Sequence, residues 1–286
     1  MFSVANVRDL QALSAALSER CRLAVTLLAE TDSTNLQLLN TPEAQQSAEP
    51  VVLMALRQSA GRGRMGRRWE TTANALSEAD RADQANIEQL APAFLGSFAA
   101  LSPLSPAQLA TLPLHVGVAL AAYLNTIGCP ARVKWPNDLV LADWAKLGGI
   151  LIETRSSSRG VWVVIGVGVN WHSAPALGDR STAAVTQHLP NIATPPDNLA
   201  GAAGLIAAIE RAWQRVHAGA ALDFAAYDIL HGARLSRVSN TGQPTIQGTG
   251  CGVNALGELG LMSETPGAAI TWVRSGEVRM LPAISR

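Results

Sequence analysis

The sequence predicts an α+β protein in which helices accompany a sheet and a small β domain follows. Three stretches repeat apolar residues at helical spacing, namely residues 7–20, 106–124 and 201–216. Short apolar runs bounded by turn residues follow one another between residues 131 and 170, as neighbouring strands do. Beyond about Gly232 the chain is rich in Gly, Thr and Val, with frequent turn signals that suggest a small β-barrel. We therefore predict two domains, residues 1–232 and 233–286.

The other elements follow in chain order. A strand-like run near residues 23–29 precedes a short helix through Leu39, which Ser33 or Thr34 is suited to cap. Polar residues 41–50 predict a loop, and residues 51–56 predict a buried strand. After Trp69 the chain has little apolar periodicity to about Leu95, which indicates a surface insertion. Four further strands are predicted at residues 131–135, 139–141, 147–153 and 161–170.

Composition and charge restrict the class of partner. The chain is 48% hydrophobic and 15% charged, which is typical of an ordered globular protein. Lys plus Arg and Asp plus Glu both total 22, so the net charge is zero. A nucleic-acid-binding protein usually carries a basic excess, so we predict no nucleic-acid partner. Anion binding must then come from a local cluster, the clearest of which is Arg62, Arg64, Arg67 and Arg68.

Cysteine and histidine spacing gives no sign of a metal or disulfide framework. Cys21, Cys129 and Cys251 lie far apart, which predicts reduced thiols, and the five histidines are scattered too. We expect no metal site in the protein. The longest apolar runs, near residues 116–124 and 161–169, are too short to span a bilayer. These observations predict a cytoplasmic protein with no membrane partner.

The Gly-Arg loop, residues 61–69, is the first motif with chemical content. Its glycines let the backbone turn tightly, and its arginines offer planar donors to a carboxylate or phosphate. Trp69 could stack on a flat ring. The alternatives are a solvated basic loop or an RNA contact. The loop has neither the Walker pattern nor the dinucleotide-binding spacing of glycines.

Three further motifs each allow two interpretations. In residues 134–139 (KWPNDL), Pro136 favours a corner that projects Asn137 and Asp138 into a pocket, or simply makes a turn. Residues 146–153 (KLGGILIE) place a lysine beside accessible backbone, or a solubilising lysine at a sheet edge. Residues 166–170 (GVGVN) are a strand with glycines where another group packs closely, or plain sheet packing.

Taken together and in order, these motifs resemble those of the biotin–protein ligases. The series is Ser33-Thr34-Asn35, Gln58 before GRGRMGRRW, then KWPNDL, KLGGILIE and GVGVNW. The resemblance covers residues 31–171 and, more faintly, residues 248–278. It implies a catalytic fold like that of class II aminoacyl-tRNA synthetases, with a mixed sheet flanked by helices, followed by a small SH3-like barrel.

The resemblance also implies an activity. Members of the family join biotin to ATP, forming biotinyl-5′-adenylate and pyrophosphate. They then transfer biotin to a lysine of a biotin carboxyl carrier domain, such as that of acetyl-CoA carboxylase. ATP would arrive with Mg²⁺, held largely by its phosphates, so no protein cage for the metal is expected. The protein is expected to be a monomer or a homodimer.

Site residues carry over position by position. The resemblance assigns biotin to Ser33, Thr34, Asn35, Gln58, Arg62, Gly63, Arg64 and Lys146. It assigns ATP or the adenylate to Arg64, Arg67, Trp69, Asn137, Lys146 and Asn170. Lys146 and Arg64 are suited to offset the repulsion between a carboxylate and an α-phosphate. Asp138 would complete the catalytic set, either by orienting the site or by helping the acceptor lysine lose its proton.

The sequence departs from the family pattern in three places, and three other functions compete with this interpretation. An insertion follows Trp69, Met65 stands where a basic residue is common, and about 30 residues before Ser33 are too few for a winged helix.

A lipoate–protein ligase would share the fold but not the GRGRxG and KWPND motifs. A nucleic-acid-binding regulator conflicts with the zero net charge. A non-catalytic biotin-binding module would have no need of Lys146.

Overall fold

The larger sheet of the protein is mixed, as predicted. The computed structural model describes residues 4–71, 92–178, 180–189, 198–238, 246–263, 267 and 269–281. The strands of this sheet are β1 (Ala24–Thr31), β2 (Val51–Gln58), β3 (Ala93–Ser102), β4 (Arg132–Lys134), β5 (Asp138–Val140), β6 (Lys146–Ser157) and β7 (Gly160–Asn170). Their order is β1-β2-β3-β7-β6-β5-β4, in which β1 and β2 are parallel and every other pair is antiparallel. The α+β class is confirmed.

Helices cover the sheet and form the core with it. They are α1 (Val4–Cys21), α2 (Thr34–Asn40), α3 (Pro42–Gln46), α4 (Leu112–Thr126) and α5 (Asn198–His217). Helices α4 and α5 pack together, and the predicted apolar face of α5 (Leu205, Ile209, Trp213, Val216) is buried. Each such side chain contributes about 1.5–3 kcal/mol through burial. No helix in the described ranges is long and apolar enough to cross a membrane.

A second, antiparallel sheet confirms the predicted C-terminal β segment. Its strands are β8 (Arg234–Val238), β9 (Ile246–Val253), β10 (Leu259–Met262), β11 (Ile270–Val273) and β12 (Glu277–Met280), in the order β11-β10-β9-β8-β12. Leu235, Leu259 and Val278 lie in the same apolar core as α4. The indole N–H of Trp135 donates to the Gly257 carbonyl at 2.9 Å. The division at residue 232 stays a prediction.

Three sequence predictions need correction. Strand β3 begins at Ala93, inside the stretch interpreted as a surface insertion, and residues 72–91 of that stretch lie outside the described residues. Helix α4 begins at Leu112, because residues 106–111 form turns and Pro113 suits only the first helical turn. The predicted loop at residues 41–50 contains the short helix α3. Strand β6 continues to Ser157, four residues beyond its expected end, and the other predicted strands and helices lie within three residues of their expected ends.

Candidate active site

A cavity of about 330 Å³ lies over the middle of the larger sheet, beside β12. Every residue assigned above to a substrate or to catalysis lines it: Ser33, Thr34, Asn35, Gln58, Arg62, Gly63, Arg64, Arg67, Trp69, Asn137, Asp138, Lys146 and Asn170. These positions are spread over more than a hundred residues of the sequence. The fold therefore brings the separate motifs together in one place.

The floor of the cavity includes a strip without side chains formed by Gly149, Gly166 and Gly168, here called the glycine floor, on which other residues pack. Gly149 and Gly168 are direct partners on β6 and β7, and the Trp69 indole lies on both. A Cβ atom at Gly168 would lie 2.5 Å from Trp69 Cε2, and one at Gly149 would lie 3.3 Å from Trp69 Cζ3. A Cβ at Gly166 would collide with the Asn35 amide. The glycines thus allow another group to pack closely against the strands. This is the first of the two interpretations given above for residues 166–170 (GVGVN).

Buried hydroxyl and amide groups make a polar cluster at one end of the cavity. Ser33 caps α2 as predicted, by accepting a hydrogen bond from the Leu36 amide. Gln58 Oε1 accepts hydrogen bonds from the Thr34 amide at 2.8 Å and from the Thr34 hydroxyl at 3.2 Å. Because these groups are buried and mutually bonded, their orientation is fixed by the fold rather than by solvent.

Ser97 belongs to this polar cluster, and sequence reasoning missed it. Its Oγ lies 2.7 Å from Thr34 Oγ1 and 2.6 Å from Asn35 Oδ1, and it has a single proton to share between them. Ser97 stands on β3, the strand that was not predicted, and pairs with Gly166 on β7. Only the register of β3 reveals that this serine contacts the polar cluster.

The Gly-Arg loop forms a small hairpin over the cavity. The Gly63 amide donates to the Arg67 carbonyl at 2.7 Å, and the Trp69 amide donates to the Gly61 carbonyl at 2.9 Å. At its tip Met65 and Gly66 have φ values of 59° and 73°, the left-handed region that glycine adopts at no cost. Met65 is 56% exposed there. The backbone bonds fix the positions from which the arginine side chains extend.

Two arginines of the loop are tied to carboxylates at its sides. Arg62 pairs with Glu153 at 2.9 Å, and Glu153 also accepts a hydrogen bond from Asn35 Nδ2 at 3.0 Å. Arg67 pairs with Glu277 of the second sheet at 3.0 Å. Glu153 therefore connects the loop to the polar cluster. It is the last residue of the KLGGILIE motif, but sequence reasoning assigned it no role.

Arg64 reaches the centre of the cavity. Its guanidinium donates to Asn137 Oδ1 at 3.3 Å. Burial lowers the pKa of Arg64, with Asp138 opposing the shift and Arg67 adding to it. Even so, an arginine stays protonated at neutral pH. A desolvated guanidinium with one long hydrogen bond to a neutral amide is well placed to receive an anion.

Lys146, at the first position of β6, also lines the cavity. Its Nζ donates to Asp138 Oδ1 at 2.7 Å and lies 5.5 Å from the centroid of the Trp69 ring. Strands β5 and β6 form a hairpin that leads into Lys146, and Trp144 in its turn has a φ of 71°. The ammonium group is therefore fixed between a carboxylate and an aromatic face.

The two asparagines assigned to ATP or the adenylate, Asn137 and Asn170, donate hydrogen bonds to backbone carbonyls through their amide nitrogens. Asn137 Nδ2 donates to the Ile150 carbonyl at 2.8 Å. Asn170 Nδ2 lies 3.2 Å from the carbonyl oxygens of both Lys146 and Ala183. Asn170 Oδ1 is buried, and nothing in the described part of the chain donates a hydrogen bond to it. An unused acceptor at a cavity wall is a ready partner for a ligand N–H.

With this geometry established, the relatives of the chain can be compared. A sequence profile of the biotin/lipoate A/B protein ligase family matches residues 27–170. The chain belongs to this family. It is 33% identical over 242 residues to the biotin–[acetyl-CoA-carboxylase] ligase of Paracoccus denitrificans, covering 78% of this chain and 85% of that one. It is 31% identical over 240 residues to the ligase of the same name from Mycobacterium tuberculosis, covering 82% and 81%.

Solved structures extend the comparison to the fold. The biotin protein ligase of Aquifex aeolicus, solved with biotin and ATP, aligns with a TM-score of 0.66 and 21% identity. The alignment covers 91% of this chain and 99% of that one. The aligned share of this chain is larger than residues 27–170. The likeness shows that the ligase shares the overall fold of that structure.

Positive charge is concentrated at the cavity of this ligase, although the whole chain is neutral. The basic residues that line it are Arg62, Arg64, Arg67, Arg68, Lys134, Lys146 and Arg180, and the acidic ones are Glu70, Asp138 and Glu277. Lys134 and Lys146 are the only lysines in the 286 residues. Sequence reasoning did not assign Lys134 or Arg180. A local field of this sign favours polyanionic substrates.

Proposed function

We propose that this ligase joins biotin to ATP and then transfers it to a specific lysine of a biotin carboxyl carrier domain, such as that of acetyl-CoA carboxylase. One observation carries the proposal. A single cavity places a buried polar cluster, the glycine floor beneath the Trp69 indole, and Lys146 beside Asp138 in that order across the sheet, and Arg64 lines the same cavity. A small polar ring, an apolar chain and a reacting pair of anions fit that order. The names of the relatives support biotin as the substrate.

The ureido ring of biotin would bind at the polar cluster. Ser33, Thr34, Asn35 and Gln58 offer donors and acceptors whose directions are already fixed. Groups held in place before binding lose little entropy when a ligand arrives. Arg62 and Gly63 would close this end of the cavity, because Arg62 is tied through Glu153 to the cluster itself.

The first step would be attack of a biotin carboxylate oxygen on the α-phosphorus of ATP. A C(O)–O–P bond forms, the bond from the α-phosphorus to the bridging oxygen breaks, and pyrophosphate leaves. Lys146 and Arg64 would bind the carboxylate and the α-phosphate from opposite sides and offset their repulsion. Because both cations are held by the fold, little reorganisation accompanies the reaction.

The nucleotide would lie along the walls formed by the two asparagines. The unused acceptor Asn170 Oδ1 supports binding of an adenine amino group there. Asn137 would hold the backbone at Ile150 and the Arg64 side chain. Trp69 would cover the adenylate from the glycine floor, and Arg67 would flank it beside the second sheet.

In the second step the acceptor lysine would attack the biotinyl carbonyl and AMP would leave. Asp138 is placed to orient Lys146, and its hydrogen bond at 2.7 Å supports that role. A carboxylate at this position could also accept the proton that the attacking amine loses.

Mg²⁺ would enter as part of the substrate MgATP. Among the residues described, no group of three His, Cys, Asp or Glu side chains could hold a metal ion. The carboxylate of Asp138 is engaged by Lys146. The metal would therefore be held mainly by phosphate oxygens and water. We further expect the ligase to act in the cytoplasm, as a monomer or homodimer, with residues 1–232 as its catalytic domain.

The decisive experiment is to incubate the ligase with MgATP, labelled biotin and a biotin carboxyl carrier domain. Label on the carrier lysine is expected, and omission of ATP should abolish it. A parallel reaction with labelled lipoate and a lipoyl domain tests the other substrate of the family. Labelling of the lipoyl domain alone would overturn the proposal.

The glycine floor predicts a matched pair of variants. Gly168→Ala must displace the Trp69 indole, whereas Gly149→Ala needs only a few tenths of an ångström of adjustment. We expect Gly168→Ala to shift the tryptophan fluorescence and to weaken binding of biotinyl-5′-adenylate, which Trp69 would cover, by about tenfold, equivalent to about 1.4 kcal/mol. Gly149→Ala should change binding much less. Equal effects of the two variants would show that the indole position does not matter.

Ser97 predicts a second pair. Ser97→Ala removes a buried hydroxyl from the polar cluster, and we expect it to cost about 1–3 kcal/mol of stability. Ser102→Ala, on the same strand, removes a buried hydroxyl that contacts His217 instead. Urea unfolding should show a loss of stability for both variants. Only Ser97→Ala should weaken biotin binding in calorimetry; the prediction fails if the two variants bind biotin alike.

A further inference from the structure

Lys134 lies in the same transverse row of the sheet as the catalytic centre. It pairs with Asp138 across β4 and β5, Asp138 pairs with Gly149, and Gly149 pairs with Gly168. Directly paired residues of antiparallel strands project from the same face. Lys134 therefore faces the cavity from the edge strand β4, on the far side of Asp138 from the glycine floor.

The ammonium group of Lys134 is half-buried and lacks a direct carboxylate partner. Burial lowers the pKa of Lys134, Asp138 and Glu277 oppose that shift, and Lys146 and Arg180 add to it. Its Nζ lies 5.6 Å from the centroid of the Trp144 ring, and no hydrogen bond or ion pair joins it to any residue in the described ranges. Burying a cation in this way is costly unless an anion accompanies it.

Arg180 is held at the same end of the cavity by backbone contacts. Residues beside it run along the start of β6: the Lys146 amide donates to the Ser181 carbonyl, and the Ala183 amide donates to the Lys146 carbonyl, both at 2.9 Å. Arg180 lines the cavity, and its charge acts on Lys134. Two basic side chains from separate segments thus converge on one end of the site.

The order of groups across the sheet indicates what this end would bind. The polar cluster lies at β2 and β3, the glycine floor at β7 and β6, and Lys134 at β4, two strand spacings or roughly 10 Å beyond β6. With the α-phosphate between Lys146 and Arg64, the rest of the triphosphate can extend towards the edge strand. Arg62 and Arg67, which also line the cavity, have carboxylate partners, whereas Lys134 has none among the described residues.

We propose that Lys134 and Arg180 bind the β- and γ-phosphates of ATP and then the pyrophosphate leaving group. The inference rests on the proposed adenylation of biotin. When the bond from the α-phosphorus to the bridging oxygen breaks, its electron pair stays on the pyrophosphate. The two cations stabilise that charge, and no proton or other group is transferred to them.

The test separates the two half-reactions of the ligase. In Lys134→Met and Arg180→Gln we expect biotin-dependent exchange of pyrophosphate into ATP to fall about 10- to 100-fold, with a rise in the KM for ATP. Inhibition by pyrophosphate should weaken by a similar factor. Transfer from pre-formed biotinyl-5′-adenylate to the carrier domain, which does not involve pyrophosphate, should stay within about twofold of the parent rate. Lys134→Arg should restore much of the exchange, because it restores the charge.

Arg132→Gln provides the matched control, since it removes a charge from the same strand outside the cavity. The inference is overturned if Lys134→Met slows both half-reactions equally, or if it leaves both the KM for ATP and pyrophosphate inhibition unchanged. It is also overturned if Arg132→Gln has the same effect as Lys134→Met. Failure of the proposed function gives a different result, namely no biotin-dependent exchange in the parent protein. In that case the binding of pyrophosphate alone is measured by calorimetry. The inference requires Lys134→Met to bind pyrophosphate more weakly than the parent protein does.

Discussion

Lys146→Ala is expected to reduce formation of biotinyl-5′-adenylate by about 10²- to 10³-fold, the usual cost of removing one fixed group that stabilises a developing anion. Lys146 is the ammonium group held between Asp138 and the Trp69 ring, where the carboxylate and the α-phosphate would meet. Without Lys146, only Arg64 would offset the repulsion between the two anions. The measurement is biotin-dependent exchange of labelled pyrophosphate into ATP. Normal exchange in this variant would exclude Lys146 from the reaction.

A second variant separates chemistry from folding. Lys146→Ala leaves the Asp138 carboxylate without its partner in a half-buried position, which also destabilises the protein. The double variant Lys146→Ala with Asp138→Asn removes that unpaired charge. We expect its thermal unfolding to be closer to that of the parent, while exchange stays low. Recovery of exchange in the double variant would mean that the single variant had failed through misfolding.

Arg64→Gly is expected to release biotinyl-5′-adenylate about 10- to 100-fold faster, because it removes a charge-assisted contact to the phosphate. Adenylate formation should be partly retained, since Lys146 remains. The Gly-Arg loop would keep the backbone hydrogen bonds of its hairpin, but the centre of the cavity would lose the guanidinium that reaches it. Dissociation of pre-formed adenylate, followed by stopped flow, measures the effect.

Two control variants test whether the faster adenylate release in Arg64→Gly comes from loss of the charge. Arg64→Ala removes the same charge without the added backbone freedom of glycine, so similar release from both variants assigns the effect to the charge. Arg57→Gln removes an arginine paired with Glu30 outside the cavity and should leave release unchanged. An adenylate off-rate equal to that of the parent would refute the role of Arg64.

The sequence was most informative where a motif has a local signature. We could assign a role to the Gly-Arg loop, the corner at Pro136 and the glycines of β7. In each case the residue types that favour a turn or close packing are neighbours in the sequence. Ser97, Lys134 and Arg180 could not be assigned, because the contact of Ser97 with the polar cluster and the place of Lys134 and Arg180 in the cavity depend on strand register and on contacts between distant segments. A lone serine in an apolar run or a lone lysine in KWPND has no such signature.

Elements of the fold were missed for a related reason. Strand β3 lies between β2 and β7 and is buried on both faces, so its residues lack the alternation that identifies a half-exposed strand. Its position directly after a polar stretch also favoured the interpretation as an insertion. The start of α4 was placed too early because the apolar spacing continues into the turns before Leu112.

The lysine content of the chain has a practical consequence for chemical labelling. Both lysines line the cavity, so an amine-directed reagent meets no other side-chain amine in these 286 residues. Protection of Lys134 and Lys146 by MgATP or biotin would then give a footprint of each ligand at residue resolution. For the same reason, adenylate that escapes from Arg64→Gly finds no surface lysine on the enzyme. Its escape is best detected on an added bystander protein, and biotin recovered on a lysine of the ligase itself would report a reaction inside the cavity.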